Sequence, residues 1–285
     1  MSNTIDFNAI DKNFLLQNNF KSIKVFKNDI TYYFKLSLKT NSDKMVVFSN
    51  GAIDRSKSTP PIFMRSSWHA DINANCIFID DPTIHNTNLS IGWGIGIPEV
   101  YYLEEISIII KKIISTLNVI NSDVIYYGSS AGGTMSILLA ANQKGSIAIT
   151  NNPQVRTDKF LTGKTIKDIH RSLFNDYIEE DFYLKFNKRI SIPYALKQYG
   201  YVPEVYYILN KDSSGDYSRQ YLSLQADMKY YNLLNENIEV IMYSDEKLGH
   251  NPIGKGETIN ILNSFIETEK FNTLYVPGYL ESVKI

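Results

Sequence analysis

The run Tyr126-Tyr127-Gly128-Ser129-Ser130-Ala131-Gly132-Gly133 stands behind an apolar, strand-like stretch and ahead of a helix-like one. Gly-x-Ser-x-Gly in that setting is the pattern of a nucleophile elbow, where a serine sits on a strained strand-to-helix turn and the flanking glycines leave room for the tight backbone. The frame selects Ser130, because Gly128 and Gly132 bracket it. Ser129 would need a small residue two positions earlier, and Tyr127 is there. A serine hydroxyl is a weak nucleophile at neutral pH and needs a neighbouring base, usually a histidine held in place by a carboxylate.

The chain has four histidines. Where this motif serves hydrolases, the chain order is Ser, acid, His, with the acid after a late strand and the histidine in the loop after the next. His250, in Lys247-Leu248-Gly249-His250-Asn251-Pro252, lies in such a loop. His69 and His85 precede the elbow and His170 falls in an insertion, so these three read as surface or packing residues. The acid is sought after the expected strand 204–209, in Asn210-Lys211-Asp212-Ser213-Ser214-Gly215-Asp216. Asp212, just past the strand end, is preferred over Asp216, which reads as the N-cap of a following helix. Asp245 and Glu246 are weaker candidates.

An oxyanion requires two backbone donors. Ala131, after the nucleophile, would supply one, and Gly51 or Ala52, in Asn50-Gly51-Ala52 after an early strand, the other. The sequence leaves the choice between Gly51 and Ala52 open.

Elements that would position these groups can be read from apolar runs. Strands are expected at 22–26, 31–38, 44–49, 75–79, 123–127, 146–150, 204–209 and 237–243, and helices at 102–117, 131–143, 217–234 and 256–269. Strands alternating with helices imply a parallel sheet with crossover helices, while the close spacing of the first three strands suggests an antiparallel edge leading into it. The expected fold class is α/β, of α/β-hydrolase type, in one domain over 1–285 with a helical lid inserted at 155–202.

Composition bounds the function. A formal charge of -1, a pI near 6.4 and interspersed charges give no electrostatic footprint for nucleic acid. The one cysteine, Cys76, lies in the apolar run Cys76-Ile77-Phe78-Ile79 and reads as a small hydrophobe. No secretory signal and no membrane span are visible, so a cytoplasmic location is expected. Neither paired cysteines nor a His-x-x-x-His spacing suggests a metal.

Gly92-Trp93-Gly94-Ile95-Gly96 looks like a phosphate-cradling loop only superficially, since the Gly-x-Gly-x-x-Gly spacing is missing. Trp93 is read as lying near the mouth of the site, where it contacts a sugar or fills a gap. The lid carries Tyr177, Phe182, Tyr183, Phe186, Tyr194, Tyr199 and Tyr201 among Lys185, Lys188, Arg189 and Lys197. Most of these aromatics would hold the lid on the sheet; a minority reading has some of them stack on a sugar while the basic groups attract an anionic donor or acceptor.

Three places carry a resemblance: Gly128-Ser129-Ser130-Ala131-Gly132-Gly133, then Asn151-Asn152-Pro153-Gln154, then Asn210-Lys211-Asp212, with Gly249-His250 completing them. In these the chain resembles a divergent branch of the α/β-hydrolase superfamily: bacterial capsule polysaccharide O-acetyltransferases and the acetyltransferase-like protein of accessory Sec export. The resemblance implies a Ser-Asp-His enzyme that takes acetyl from acetyl-CoA and places it on a sugar hydroxyl of a surface glycan. Asn152 or Gln154 would then hydrogen-bond the carbohydrate acceptor or simply satisfy backbone groups at the strand end. An esterase with water as acceptor shares the whole acyl-enzyme half of that chemistry, and a catalytically silent subunit of a glycosylation or export complex is the reading from another class. Acceptor sugar, acyl length and oligomeric state stay open.

Overall fold

The computed structural model describes residues 3–233 and 236–285. Ten strands form one sheet: β1 (Thr4–Asp6), β2 (Ser22–Lys27), β3 (Ile30–Ser37), β4 (Met45–Phe48), β5 (Asn75–Ile79), β6 (Val124–Ser129), β7 (Ile147–Asn151), β8 (Glu204–Asn210), β9 (Ile238–Tyr243) and β10 (Tyr279–Lys284). Their order is β1-β2-β3-β5-β4-β6-β7-β8-β9-β10. From β5 to β9 all neighbours are parallel, while β3 runs antiparallel to β5 and β10 antiparallel to β9.

The antiparallel edge therefore ends one strand earlier than the spacing suggests. β2 and β3 form the hairpin, but the chain then crosses over, and β4 enters the interior between β5 and β6. All four β4 residues, Met45 to Phe48, are buried, as a strand covered on both faces requires. β1 and β10, which the sequence reading passed over, are a three-residue strand and a solvated edge strand without an apolar run.

Side chains alternate between two cores. Met45, Val47, Tyr126, Ala148, Tyr207 and Val240 face one side with helices α2 (Tyr102–Thr116) and α3 (Ala131–Asn142). Val46, Phe48, Cys76, Tyr127, Ile149 and Ile241 face the other with α9 (Lys255–Thr268). Ile106, Ile109, Ile110, Ile113 and Ile114 give α2 its inward stripe at helical spacing. α3 is buried all round, and its small residues let it lie tightly against the sheet.

The remaining helices are α1 (Lys12–Gln17), α4 (Lys164–Leu173), α5 (Glu179–Lys185), α6 (Asn187–Ile190), α7 (Ile192–Tyr199) and α8 (Leu222–Tyr230). Between β7 and β8 the chain makes α4 to α7, and a third core there packs Ile166, Ile169, Phe174, Phe182 and Phe186 with Ile84, Ile91 and Trp93. The helix expected at 217–234 begins as a π-helical turn, Asp216–Tyr221, and continues as α8; Leu234 lies outside the described residues. Among the described residues no helix is long and apolar enough to cross a membrane.

Candidate active site

Ser130 stands between β6 and α3 with φ 55° and ψ −126°, a conformation that a non-glycine residue adopts only when its surroundings enforce it. Close packing enforces it here. A Cβ on Gly128 would come within 2.3 Å of the Gly132 backbone, and one on Gly132 within 2.6 Å of the Ser49 carbonyl oxygen. The turn thereby points the Ser130 hydroxyl out of the C-terminal end of the sheet, at the topological position where open α/β sheets bind ligands.

His250 Nε2 lies 2.9 Å from Ser130 Oγ. Its loop is held by side chains that accept from its backbone: the Leu248 amide donates to Asp245 Oδ1 and the Ile253 amide to Asn151 Oδ1 at 2.8 Å, while Gly249 adopts φ 52°. On the far side, His250 Nδ1 lies 2.9 and 2.8 Å from the two carboxylate oxygens of Asp216.

Asp212, the acid preferred from sequence, is elsewhere. It is exposed, and its Oδ2 accepts from the Ser244 hydroxyl at 2.6 Å. The cause is local: Asn210 Oδ1 accepts the Asp212 amide at 3.2 Å, and the turn this makes sends the Asp212 side chain outward. Nor is Asp216 an N-cap. The chain is already helical at Gly215, and Asp216 opens a π-helical turn, a wide geometry frequent at functional sites. It is 3% exposed, and Ser213 Oγ donates to its Oδ2 at 2.5 Å.

Ala131 is the first residue of α3, whose leading amides have no intrahelical partner. The Asn50-Gly51 backbone lies beside it against Gly132, held by Asn50 Oδ1, which accepts the Met64 amide at 2.9 Å. The Gly51 amide faces Met64 Sδ at 3.2 Å, a weak acceptor, whereas Ala52 is exposed.

The Asn-Pro-Gln element divides its work. Asn152 is fully buried with both ends of its amide on backbone: Nδ2 donates to the His250 carbonyl at 3.2 Å and Oδ1 accepts the Asn210 amide at 2.9 Å. It joins the acid loop to the histidine loop and leaves nothing for a sugar. Gln154, also fully buried, has Nε2 2.6 Å from Ser130 Oγ and 3.2 Å from His250 Nε2. Its Oε1 accepts from Trp93 Nε1 at 3.0 Å.

Trp93 is 1% exposed, so it is closed to sugar stacking. The amides of Gly94, Ile95 and Gly96 are consumed internally, Gly94 donating to Asp81 Oδ2 and Gly96 to Thr83 Oγ1, each at 3.0 Å, and Ile95 to the Gly92 carbonyl at 2.9 Å, which removes them as a phosphate cradle. Burial pushes the Asp81 carboxyl up, against hydrogen bonds from Gly94 and Thr83 that hold it down.

A cleft of about 220 Å³ opens beside His250 and Asp216, bounded by Phe160, Leu161, Lys159 and Arg219. The Phe160 ring centroid is 5.7 Å from that of His250, with an edge contact to Trp93. The lid's basic residues, which the minority reading has attract an anionic substrate, make structural contacts: Lys188 pairs with Glu104, Arg189 donates to the carbonyls of Ile95 and Ile97, and Lys185 and Lys197 lie over Tyr177 and Tyr231. Lys159, which donates to Ser223 Oγ at 2.8 Å, and Arg219 line the cleft, without a carboxylate at ion-pair distance among the described residues.

Arg65 stands in the run Arg65-Ser66-Ser67-Trp68, which carries no motif. Its Nη2 donates to Ser129 Oγ at 2.6 Å, and its guanidinium lies 5.3 Å from the Tyr127 ring centroid, holding the residue before Ser130 in place.

No family model and no curated protein matches the sequence. Solved structures do match in fold. The capsule O-acetyltransferase of Neisseria meningitidis serogroup A superposes with a TM-score of 0.58 at 14% identity, over 86% of this chain and 95% of that one. A variant of the same protein in complex with CoA gives 0.58 at 15% over 88% and 96%. The Gap123 glycosylation-associated complex of Streptococcus agalactiae gives 0.55 at 16% over 79% of this chain and 42% of that one. The substrate-bound fluorophosphonate-binding serine hydrolase F of Staphylococcus aureus gives 0.53 at 10% over 86% and 97%. The chain has the α/β-hydrolase fold.

Proposed function

We propose that this chain is a serine-nucleophile acyl-transfer enzyme, an O-acetyltransferase that moves acetyl from acetyl-CoA to a hydroxyl of a surface or capsular polysaccharide. The observation that carries the reading is the continuous hydrogen-bonded line from Asp216 through His250 to Ser130 on a strained elbow.

In this reading Ser130 Oγ attacks the thioester carbonyl while His250 Nε2 takes its proton, and Asp216 holds the imidazole so that Nδ1 carries the other hydrogen. The oxyanion forms against the Ala131 amide and one from Gly51 or Ala52. Thiol leaves with the proton from His250. An acceptor hydroxyl then gives its proton to His250 Nε2 and attacks the acyl carbon, and Ser130 recovers its proton as the ester bond breaks.

Two cations without carboxylate partners at the cleft, Lys159 and Arg219, suit an anionic substrate such as the phosphate-bearing donor. The CoA complex of the Neisseria protein supports the same donor class. The segment 155–202 acts as a lid, with Phe160 lying over the base.

Brief incubation with acetyl-CoA followed by intact-protein mass spectrometry tests this reading. An acetyl adduct is expected on the wild type and absent from Ser130→Ala. No adduct, with Ser130-dependent hydrolysis of p-nitrophenyl acetate, would make the chain an esterase instead.

A further inference from the structure

Ser130 Oγ, His250 Nε2 and Gln154 Nε2 form a triangle with sides of 2.9, 3.2 and 2.6 Å. Every side is a direct contact, so the triangle has no interior space for a water molecule. The amide is also fixed in direction. Trp93 Nε1–H donates to Gln154 Oε1 and so turns the NH2 group toward the nucleophile and the base. Thr134 Oγ1 donates to the Gln154 carbonyl at 2.7 Å, holding its backbone, and the Trp93 loop is in turn held by Asp81 and Thr83.

A neutral histidine offers one lone pair at Nε2. In the free enzyme the Ser130 hydroxyl is directed at it. Once Oγ is acylated that hydrogen is gone, and the nearest remaining donor is the Gln154 amide. Any incoming nucleophile must deliver its proton to the same lone pair, so it has to displace the amide first. Water brings only its own weak interaction to that exchange. A bound acceptor brings the binding energy of its whole ring, which can be used to displace the amide.

Resting on the acyl-enzyme reading above, we propose that Gln154 is the residue that sets the fate of the acyl-enzyme: its amide N–H competes for His250 Nε2, protecting the ester against hydrolysis until a bound acceptor hydroxyl takes its place. The acceptor's O–H proton then passes to Nε2, its oxygen bonds to the acyl carbon, the bond from that carbon to Ser130 Oγ breaks, and the proton returns to Oγ.

The test is the lifetime of the acetyl-enzyme in water, followed by quenched intact-mass measurement after acylation with p-nitrophenyl acetate and, separately, acetyl-CoA. Gln154→Ala is expected to shorten the lifetime about tenfold or more, and Gln154→Met, which keeps the reach but has no N–H, to shorten it as well. A gain in one rate is a readout that mere damage to the fold does not produce. Wild-type lifetimes in either variant would overturn the competition. Absence of any acetyl-enzyme in the wild type would instead remove the acyl-transfer reading itself, so the two failures are distinguishable.

Discussion

Asn152 and Gln154 stand two residues apart at the end of β7, carry the same primary amide and are both fully buried. Asn152 has its amide on the backbone of two loops, at the His250 carbonyl and the Asn210 amide. Gln154 has its amide on side chains, at Ser130, His250 and Trp93. Backbone partners are present throughout a reaction and make a residue part of the frame. In the proposed reaction Ser130 is acylated and His250 takes up a proton, so side-chain partners change during turnover and the same functional group would take part in the chemistry. The nature of the partner, more than burial or residue type, separates the two roles.

The largest effect that would sharpen this distinction concerns carboxylates. Asp216→Asn, which changes the group bonded to His250, is expected to lower kcat by about 10³-fold or more, by analogy with other triads. Asp212→Asn, four residues earlier and bonded to an exposed serine, should leave kcat within about twofold. Steady-state kinetics on both variants checks this, and the reverse pattern would return the acid to Asp212.

Next in size is the frame. Asn152→Ala removes two buried bonds and strands the Asn210 amide, for a loss of about 2–3 kcal/mol read by denaturant unfolding. Gln154→Ala should lose less, because Ser130 and His250 stay bonded to each other and only the buried Trp93 N–H is stranded. Equal losses would break the contrast.

The smallest effect is at Cys76, a buried group in neither the frame nor the chemistry. Burial pushes its thiol up to about 12, so at pH 8 the native protein carries almost no thiolate. A disulfide reagent such as DTNB should react only after denaturation, with catalytic activity unchanged by prior treatment.

Much of this arrangement was legible in the residues. Short apolar runs gave the interior strands, and the isoleucine spacing of 106, 109, 110, 113 and 114 gave α2, because burial on two faces and on one stripe leave different periods. The elbow was readable because glycine spacing is itself the geometric requirement, and the late loop with Gly249 placed His250. The acid was not. Whether Asp212 or Asp216 turns inward is decided by the Asn210 turn and by a π-helical turn, neither of which leaves a periodic trace. The crossover that takes β4 to the interior, the inward turn of Gln154 and the place of Arg65 beside Ser129 all depend on residues distant in sequence, and one chain read alone carries no such pairing.

Past Gln154 the chain meets itself: Arg156 forms a bridge with Ser191, the Ile192 amide donates to the Val155 carbonyl at 3.0 Å, and Thr157 Oγ1 donates to the Ile190 carbonyl at 3.2 Å. The residues between leave and return through one narrow neck ahead of α7, so they form a cassette with adjacent ends. Changes in its length strain β7 and β8 little, since loop closure is already provided at its base, while its aromatic core stays packed on Trp93 and Ile91. A chimera cut at 156 and 191 would therefore show how far this cassette and the Ser130 site can be varied independently.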